Sequence, residues 1–146
     1  MGNKVIAAVP VATNKLIVWF DEGVSRAYDA EKLDIGGEDF ERLAVFPDGS
    51  HVAWESGITV SADELFENGT EVDLVQNEKQ RLLKQLSKIR RDASFSQTRL
   101  GEAAGIRQSV VSRIEGCEIS PQINTLLKLL APLGKTIAIV DLKEGE

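Results

Sequence analysis

The sequence predicts an α+β chain of two modules: a small N-terminal antiparallel sheet with short helices, then an all-α bundle of five helices followed by a C-terminal strand. Three observations lead there. Up to about residue 70 the apolar residues come in short β-branched runs broken by turn residues, the mark of strands. From Leu82 onward they recur every three or four positions, the mark of amphipathic helices. The charge also changes sign. Residues 1–76 hold five Lys/Arg against fifteen Asp/Glu, a balance of −10, and residues 77–146 hold twelve against eight, a balance of +4. Opposite signs point to two modules with different partners, and only the second suits a phosphate backbone.

The first module reads as follows. Lys4–Val11 is apolar and β-branched, and Lys15–Phe20 alternates. Asp21-Glu22-Gly23 then turns the chain and Val24–Asp29 returns, a hairpin pattern. Glu38–Leu43 suits a short helix after Gly36-Gly37. Phe46-Pro47-Asp48-Gly49 is a turn before the strand His51–Glu55. Ser61 and Glu64 make a capping box for a helix Ala62–Glu67 that Asn68-Gly69 ends. Trp19, Phe20, Tyr28, Phe40, Phe46, Trp54 and Phe66 are expected to form the core, because so short a sheet needs large side chains to bury enough area.

Between the modules, residues 71–77 are polar and without period, and read as a linker whose Asn77 caps the next helix. That gives boundaries of 1–70, 71–77 and 78–146. In the second module Leu82, Leu83, Leu86 and Ile89 stripe a first helix, with Lys79, Arg81, Lys84, Lys88 and Arg91 largely off that stripe. Gln97–Gly116, QTRLGEAAGIRQSVVSRIEG, reads as helix, tight turn, helix. Ser96 is a good N-cap. Leu100 and Ala104 share one face, Val111 and Ile114 another, and Gly105 permits the positive φ of the reversal. Gly101, without a side chain, allows a close crossing. The second helix shows Arg107, Gln108, Ser109, Ser112 and Arg113 outward, residue types that reach base edges and phosphates. Ser120-Pro121 is expected to open another helix, and Ile123, Leu126, Leu127, Leu130 and Leu133 line the last one until Pro132 ends or kinks it. Thr136, Ile137, Ala138, Ile139 and Val140 alternate as a strand, which needs a partner: a second copy or the N-terminal sheet.

On the SQxxLxxxxGI opening, the SRIE closing the second helix, the following SP and LLKLLAPLG, the segment from about Leu82 to Leu133 resembles the helix-turn-helix domain of the Cro and phage-repressor superfamily, the XRE family. The resemblance implies a lambda-repressor-like fold and a second helix that enters the major groove. Gln108, Ser109, Ser112 and Arg113 then face bases, Arg107 faces bases or backbone, and Gln97 falls where relatives contact phosphate. It also implies a structural ion pair between Arg90 and Glu115, and a homodimer in which residues 136–140 pair between subunits. Where the family usually offers basic residues after Gly116, this chain has Cys117 and Glu118.

The run VWFDEGVSRAYDAEKL with LAVFPDGSHVAWESGITVSADELFENG is similar to a small bacterial domain catalogued as domain of unknown function 2442. That resemblance implies a fold and little chemistry. Its members often lie near toxin–antitoxin genes. Two functions are thus expected: a dimeric repressor binding double-stranded DNA at a palindromic operator, or an antitoxin that also holds a toxin or other protein through the acidic module.

Other classes find little support. Asp21, Glu22, Asp29, Asp63 and Glu64 are carboxylates with none set apart as an acid/base pair, so no enzyme is expected. One cysteine, Cys117, and one histidine, His51, build neither a disulfide nor a metal site, and no cofactor is expected. Cys117 stands beside Glu118, which does not favour a thiolate. Gly134-Lys135-Thr136 resembles the end of a phosphate loop, but position 129 is Leu where that motif needs glycine. No apolar run approaches the ~18 residues of a membrane span. The N-terminal apolar run is short and broken by Pro10, unlike a signal peptide, so a cytoplasmic location is expected.

Overall fold

A computed structural model describes residues 3–143, which divide into two compact units, residues 3–73 with 141–143 and residues 74–140. In the first, β1 (Val5–Ala12), β2 (Lys15–Phe20) and β3 (Ser25–Asp29) run antiparallel. The β2–β3 hairpin turns through Asp21–Gly23, where Gly23 takes φ +76°. Pro10 lies in β1, an edge strand, where its missing N–H breaks no ladder. A one-turn helix α1 (Gly37–Phe40) leads to a second sheet of β4 (Leu43–Val45), β5 (His51–Trp54) and β6 (Thr59–Ser61). The helix expected over 38–43 is cut short because Leu43–Val45 pairs with Trp54–Val52 instead. α2 (Ala62–Glu67) starts at Ser61, whose hydroxyl accepts from the Glu64 N–H at 3.1 Å. Then β7 (Thr70–Glu71) pairs with β3 and closes the first sheet.

The period-2 pattern of β2 sends Leu16, Val18 and Phe20 into one core with Tyr28, Phe40, Val52, Trp54 and Leu65. Trp54 stacks on Phe40 at 5.6 Å, and its indole N–H donates to the Phe40 carbonyl at 2.9 Å. Two of the aromatics expected inside are not core residues. Trp19 points to the other face of β2 and is half-buried. Phe46 leaves β4 in the turn, is 47% exposed and stacks on His51 at 4.5 Å.

The second unit is helical: α3 (Leu74–Asp92), α4 (Gln97–Ala104), α5 (Gln108–Glu115) and α6 (Ile123–Leu130). Its core joins Leu83, Leu86, Leu100, Val111, Ile114, Leu126, Leu129 and Leu130. The linker expected at 71–77 is instead the end of β7 and the first turn of α3, and Asn77 lies within that helix rather than capping it. Four α-helices stand where five were expected. Ser120-Pro121 opens none, since the chain stays extended to Gln122, the N-cap of α6. After α6 comes only a 3₁₀ turn, Ala131–Leu133, ended by Gly134 at φ +73°. Residues 136–140 form no strand in the single chain: Ile137 packs on the helical core, while Ile139 and Val140 face outward. Backbone pairing needs a second strand, and neither described sheet includes this segment. No helix among the described residues is long and apolar enough to cross a membrane.

Candidate nucleic-acid interface

Local chemistry sets the angle between α4 and α5. The Ser96 hydroxyl caps α4 by accepting from the Arg99 N–H at 3.0 Å. Gly105 ends α4 at φ +72°, and the Ile106 N–H reaches back to the Gly101 carbonyl at 2.8 Å. Gly101 is buried, and a Cβ there would overlap the Ile106 carbonyl oxygen. The close approach expected of Gly101 is therefore to the turn backbone.

α5 starts at Gln108, with Arg107 as an extended N-cap residue, so Arg107 sits before the helix and not on its face. At about 100° per residue, Gln108, Ser109, Ser112 and Arg113 span one side of α5, and Val111 and Ile114 the other. Val111 and Ile114 are fully buried. Arg107, Gln108, Ser109 and Arg113 are exposed and Ser112 is half-buried. The outward set is thus a single polar face on a helix anchored by two core residues.

A polar ladder ties this face to the rest of the unit. The Arg90 guanidinium donates twice to Glu115, Nε to Oε2 at 2.6 Å and Nη2 to Oε1 at 2.9 Å, and once to the Phe95 carbonyl at 2.8 Å. The side chains of Arg90 and Glu115 are 11% and 6% exposed, so the pair is buried and paired. Burial pushes the Glu115 carboxyl up, but hydrogen bonds from Arg90, Gln97 and Ser87 with the Arg90 charge outweigh it, and the net shift is downward. Arg90 is raised, chiefly by its hydrogen bond to Glu115. From Glu115 the ladder continues: Gln97 Nε2 donates to Glu115 Oε1 at 3.3 Å, and Gln108 Nε2 donates to Gln97 Oε1 at 2.9 Å. Gln97 thus bridges the Arg90–Glu115 pair and the start of α5. Sequence spacing did not reveal the Gln97–Gln108 contact, which depends on the tight turn between them, nor the Arg99 guanidinium 4.4 Å over the Phe95 ring.

In the first unit, two of the carboxylates considered for acid/base chemistry, Asp29 and Glu64, line one open pocket with Tyr28, Glu31, Lys32 and Asn68. Glu64 accepts from the Tyr28 hydroxyl at 3.0 Å and from Asn68 at 2.6 Å. Burial and that bond push Tyr28 up to about 12. Asp63 instead holds Asn3 through two bonds of 3.1 Å. The Glu22 side chain lies outside the described residues. His51 accepts or donates at Nδ1 to the Ser50 hydroxyl, 2.8 Å away, under the Phe46 ring. Among the described residues no group of three His, Cys, Asp or Glu is placed to hold a metal ion.

Comparison with known proteins adds names to this geometry. The family model described as helix-turn-helix matches residues 86–140. An HTH-type transcriptional regulator of Haemophilus influenzae is 47% identical over 62 residues, which is 42% of this chain and 63% of that one. The HTH-type transcriptional regulator PuuR of Escherichia coli is 42% identical over 55 residues, 38% of this chain and 30% of that one. The chain therefore spans less than two thirds of the curated relatives it matches. A toxin–antitoxin module from Streptococcus pneumoniae superposes with a TM-score of 0.41 at 38% identity, covering 48% of this chain and 77% of that one. The similarity to the helix-turn-helix family is thus carried by residues 86–140, little more than a third of the chain.

Proposed function

We propose that the chain is a sequence-specific DNA-binding transcriptional regulator that lays α5 in the major groove. The polar face of Gln108, Ser109, Ser112 and Arg113, backed by buried Val111 and Ile114, carries the reading. An α-helix fits that groove, and each base pair there shows a distinct pattern of donors and acceptors. Arg113 holds guanine by two hydrogen bonds and Gln108 holds adenine, each worth ~1–3 kcal/mol of discrimination. Arg107 contacts bases or backbone, and Gln97 the phosphate backbone, at the edges of this patch.

The regulator acts as a homodimer on a palindromic site, its two α5 helices about one DNA turn apart, ~34 Å. Two features support this. Residues 136–140 carry β-branched side chains and unpaired backbone, with Ile139 and Val140 exposed. On α6, Ile123 is 63% exposed and Leu127, four residues on, continues the same stripe. The acidic first module, which we take as a domain of the 2442 kind, binds a protein or ligand. Its balance of −10 over residues 1–76 favours a second reading, an antitoxin holding a basic toxin while repressing its own operon. A short toxin gene beside this one, whose toxicity the chain relieves, is the sign of that case.

Selection of bound sequences from random DNA tests the main reading. Arg113→Ala is expected to relax preference at one position. Lys88, paired with Asp92 on its own helix at 2.8 Å, changes only the salt dependence when replaced by Ala. Equal loss across all sequences in both variants overturns the assignment of Arg113.

A further inference from the structure

We propose that Lys79 and Ser120 clamp a phosphate of the DNA backbone, with α3 lending its ammonium to the loop between α5 and α6. The inference rests on the DNA-reading function of α5. That helix has eight residues and is therefore about 12 Å long. The major groove is about 12 Å wide. The chain that leaves α5 at Gly116 thus comes out beside the phosphates that wall the groove. Residues 116–122, GCEISPQ, then lead to α6 and hold no basic side chain. Their one charged residue is Glu118, which has the wrong sign for that place.

The cation comes from elsewhere in the unit. Lys79 lies on α3, 41 residues before Ser120, and its Nζ donates to the Ser120 Oγ at 3.0 Å. Lys79 is half-buried and Ser120 exposed, so the lysine stem lies against the protein while its ammonium reaches the rim. Two other cations of α3 meet carboxylates on their own helix, Arg81 with Glu78 at 3.4 Å and Lys88 with Asp92 at 2.8 Å. Lys79 meets a neutral hydroxyl instead, which leaves its charge for a further partner. The bond directions select an anion. An ammonium has three N–H donors and accepts nothing. Ser120 must therefore accept from it, and its own O–H is left to donate outward beside the two remaining N–H groups of Lys79. Three donors at one exposed spot suit phosphate oxygens, which only accept. Such a contact fixes where the protein sits on the duplex and carries no base preference.

Two substitutions at Lys79 separate charge from structure. Lys79→Gln keeps a donor for Ser120 and removes the charge, whereas Lys79→Arg keeps both. Lys84→Gln gives the effect of net charge alone, since Lys84 is exposed on the same helix and lies about 140° around it from Lys79. Thermal melts confirm that each full-length variant is folded at the assay temperature. Binding to a duplex selected from random DNA, and to an unselected duplex, is then measured over a salt series. In Lys79→Gln the slope of log K against log salt is expected to shrink by about 0.9 for each bound copy, on both duplexes alike. Lys79→Arg is expected to hold the wild-type slope. A wild-type slope in Lys79→Gln, a loss no larger than that of Lys84→Gln, or an altered base preference overturns the clamp. Wild-type protein that binds the two duplexes equally overturns the DNA-reading function on which the clamp rests. Wild-type preference with an unchanged Lys79→Gln slope overturns the clamp alone.

Discussion

The two units anchor their interiors differently. In the sheet unit the buried polar contact is neutral: the Trp54 indole donates to the Phe40 carbonyl at 2.9 Å inside an aromatic and aliphatic core. In the helical unit it is an ion pair, Arg90–Glu115, with both side chains mostly buried. A neutral contact tolerates loss of one partner at modest cost, because only a dipole is stranded. A buried charge pair tolerates it poorly. The helical unit accepts that vulnerability at the point from which its polar ladder reaches the exposed face of α5. In the helical unit the buried ion pair is thus bonded on to the exposed polar face, whereas in the sheet unit the buried contact stays within the core.

The largest test of that contrast is Arg90→Ala. It strands the Glu115 carboxylate and is expected to cost about 3–5 kcal/mol. Helicity by far-ultraviolet circular dichroism should fall at lower temperature, while the fluorescence of Trp19 and Trp54, both in the sheet unit, melts as before. A single joint transition moved by the same amount breaks the contrast. Acid sharpens it. The folded carboxyl of Glu115 is depressed, so its stabilisation is present above the ordinary carboxylate range and is lost as pH falls through the lowered value. The helical unit should lose stability on acidification, less so in Glu115→Gln.

Gly101→Ala comes next. Its Cβ meets the Ile106 carbonyl, and the expected cost is about 1–3 kcal/mol by chemical denaturation. Alkali addresses the sheet unit. Tyr28 is the one tyrosine and is raised to about 12, so the stability it adds is full below pH 10 and lost as pH climbs toward 12. Tyrosinate absorbance should titrate near that value, and Glu64→Gln should bring the midpoint down. The smallest effect is a gain. Cys117 holds φ +59°, a conformation that glycine adopts without strain, so Cys117→Gly should raise the helical unit's stability by about 0.5–1 kcal/mol. An unchanged melting temperature counts against strain there.

What could be read from sequence was what local spacing determines. The Ser96 cap, the Gly105 reversal and the Val111/Ile114 face follow from residues a few positions apart. The Arg90–Glu115 pair was legible only through family resemblance; in the structure the two side chains meet at 2.6 Å. The short strands β4, β6 and β7 escaped, because two or three residues carry no period and gain their identity from distant partners. Glu71 in particular reads as linker until Arg26 stands opposite it. The left-handed turns at Ser94 and Cys117 also escaped, since neither residue advertises positive φ as glycine does. The segment 136–140 misled for a complementary reason: its composition is right for a strand, but composition does not supply a neighbour.

That same segment has a bearing on handling the protein. Thr-Ile-Ala-Ile-Val, uncharged and free of proline, is the kind of run that stacks into cross-β fibrils when left open. Lys135 on one side and Asp141 on the other flank the run with charges of the kind that oppose such stacking. Neutralising both should turn a well-behaved preparation into one that forms fibrils on standing, visible as thioflavin signal that grows with concentration.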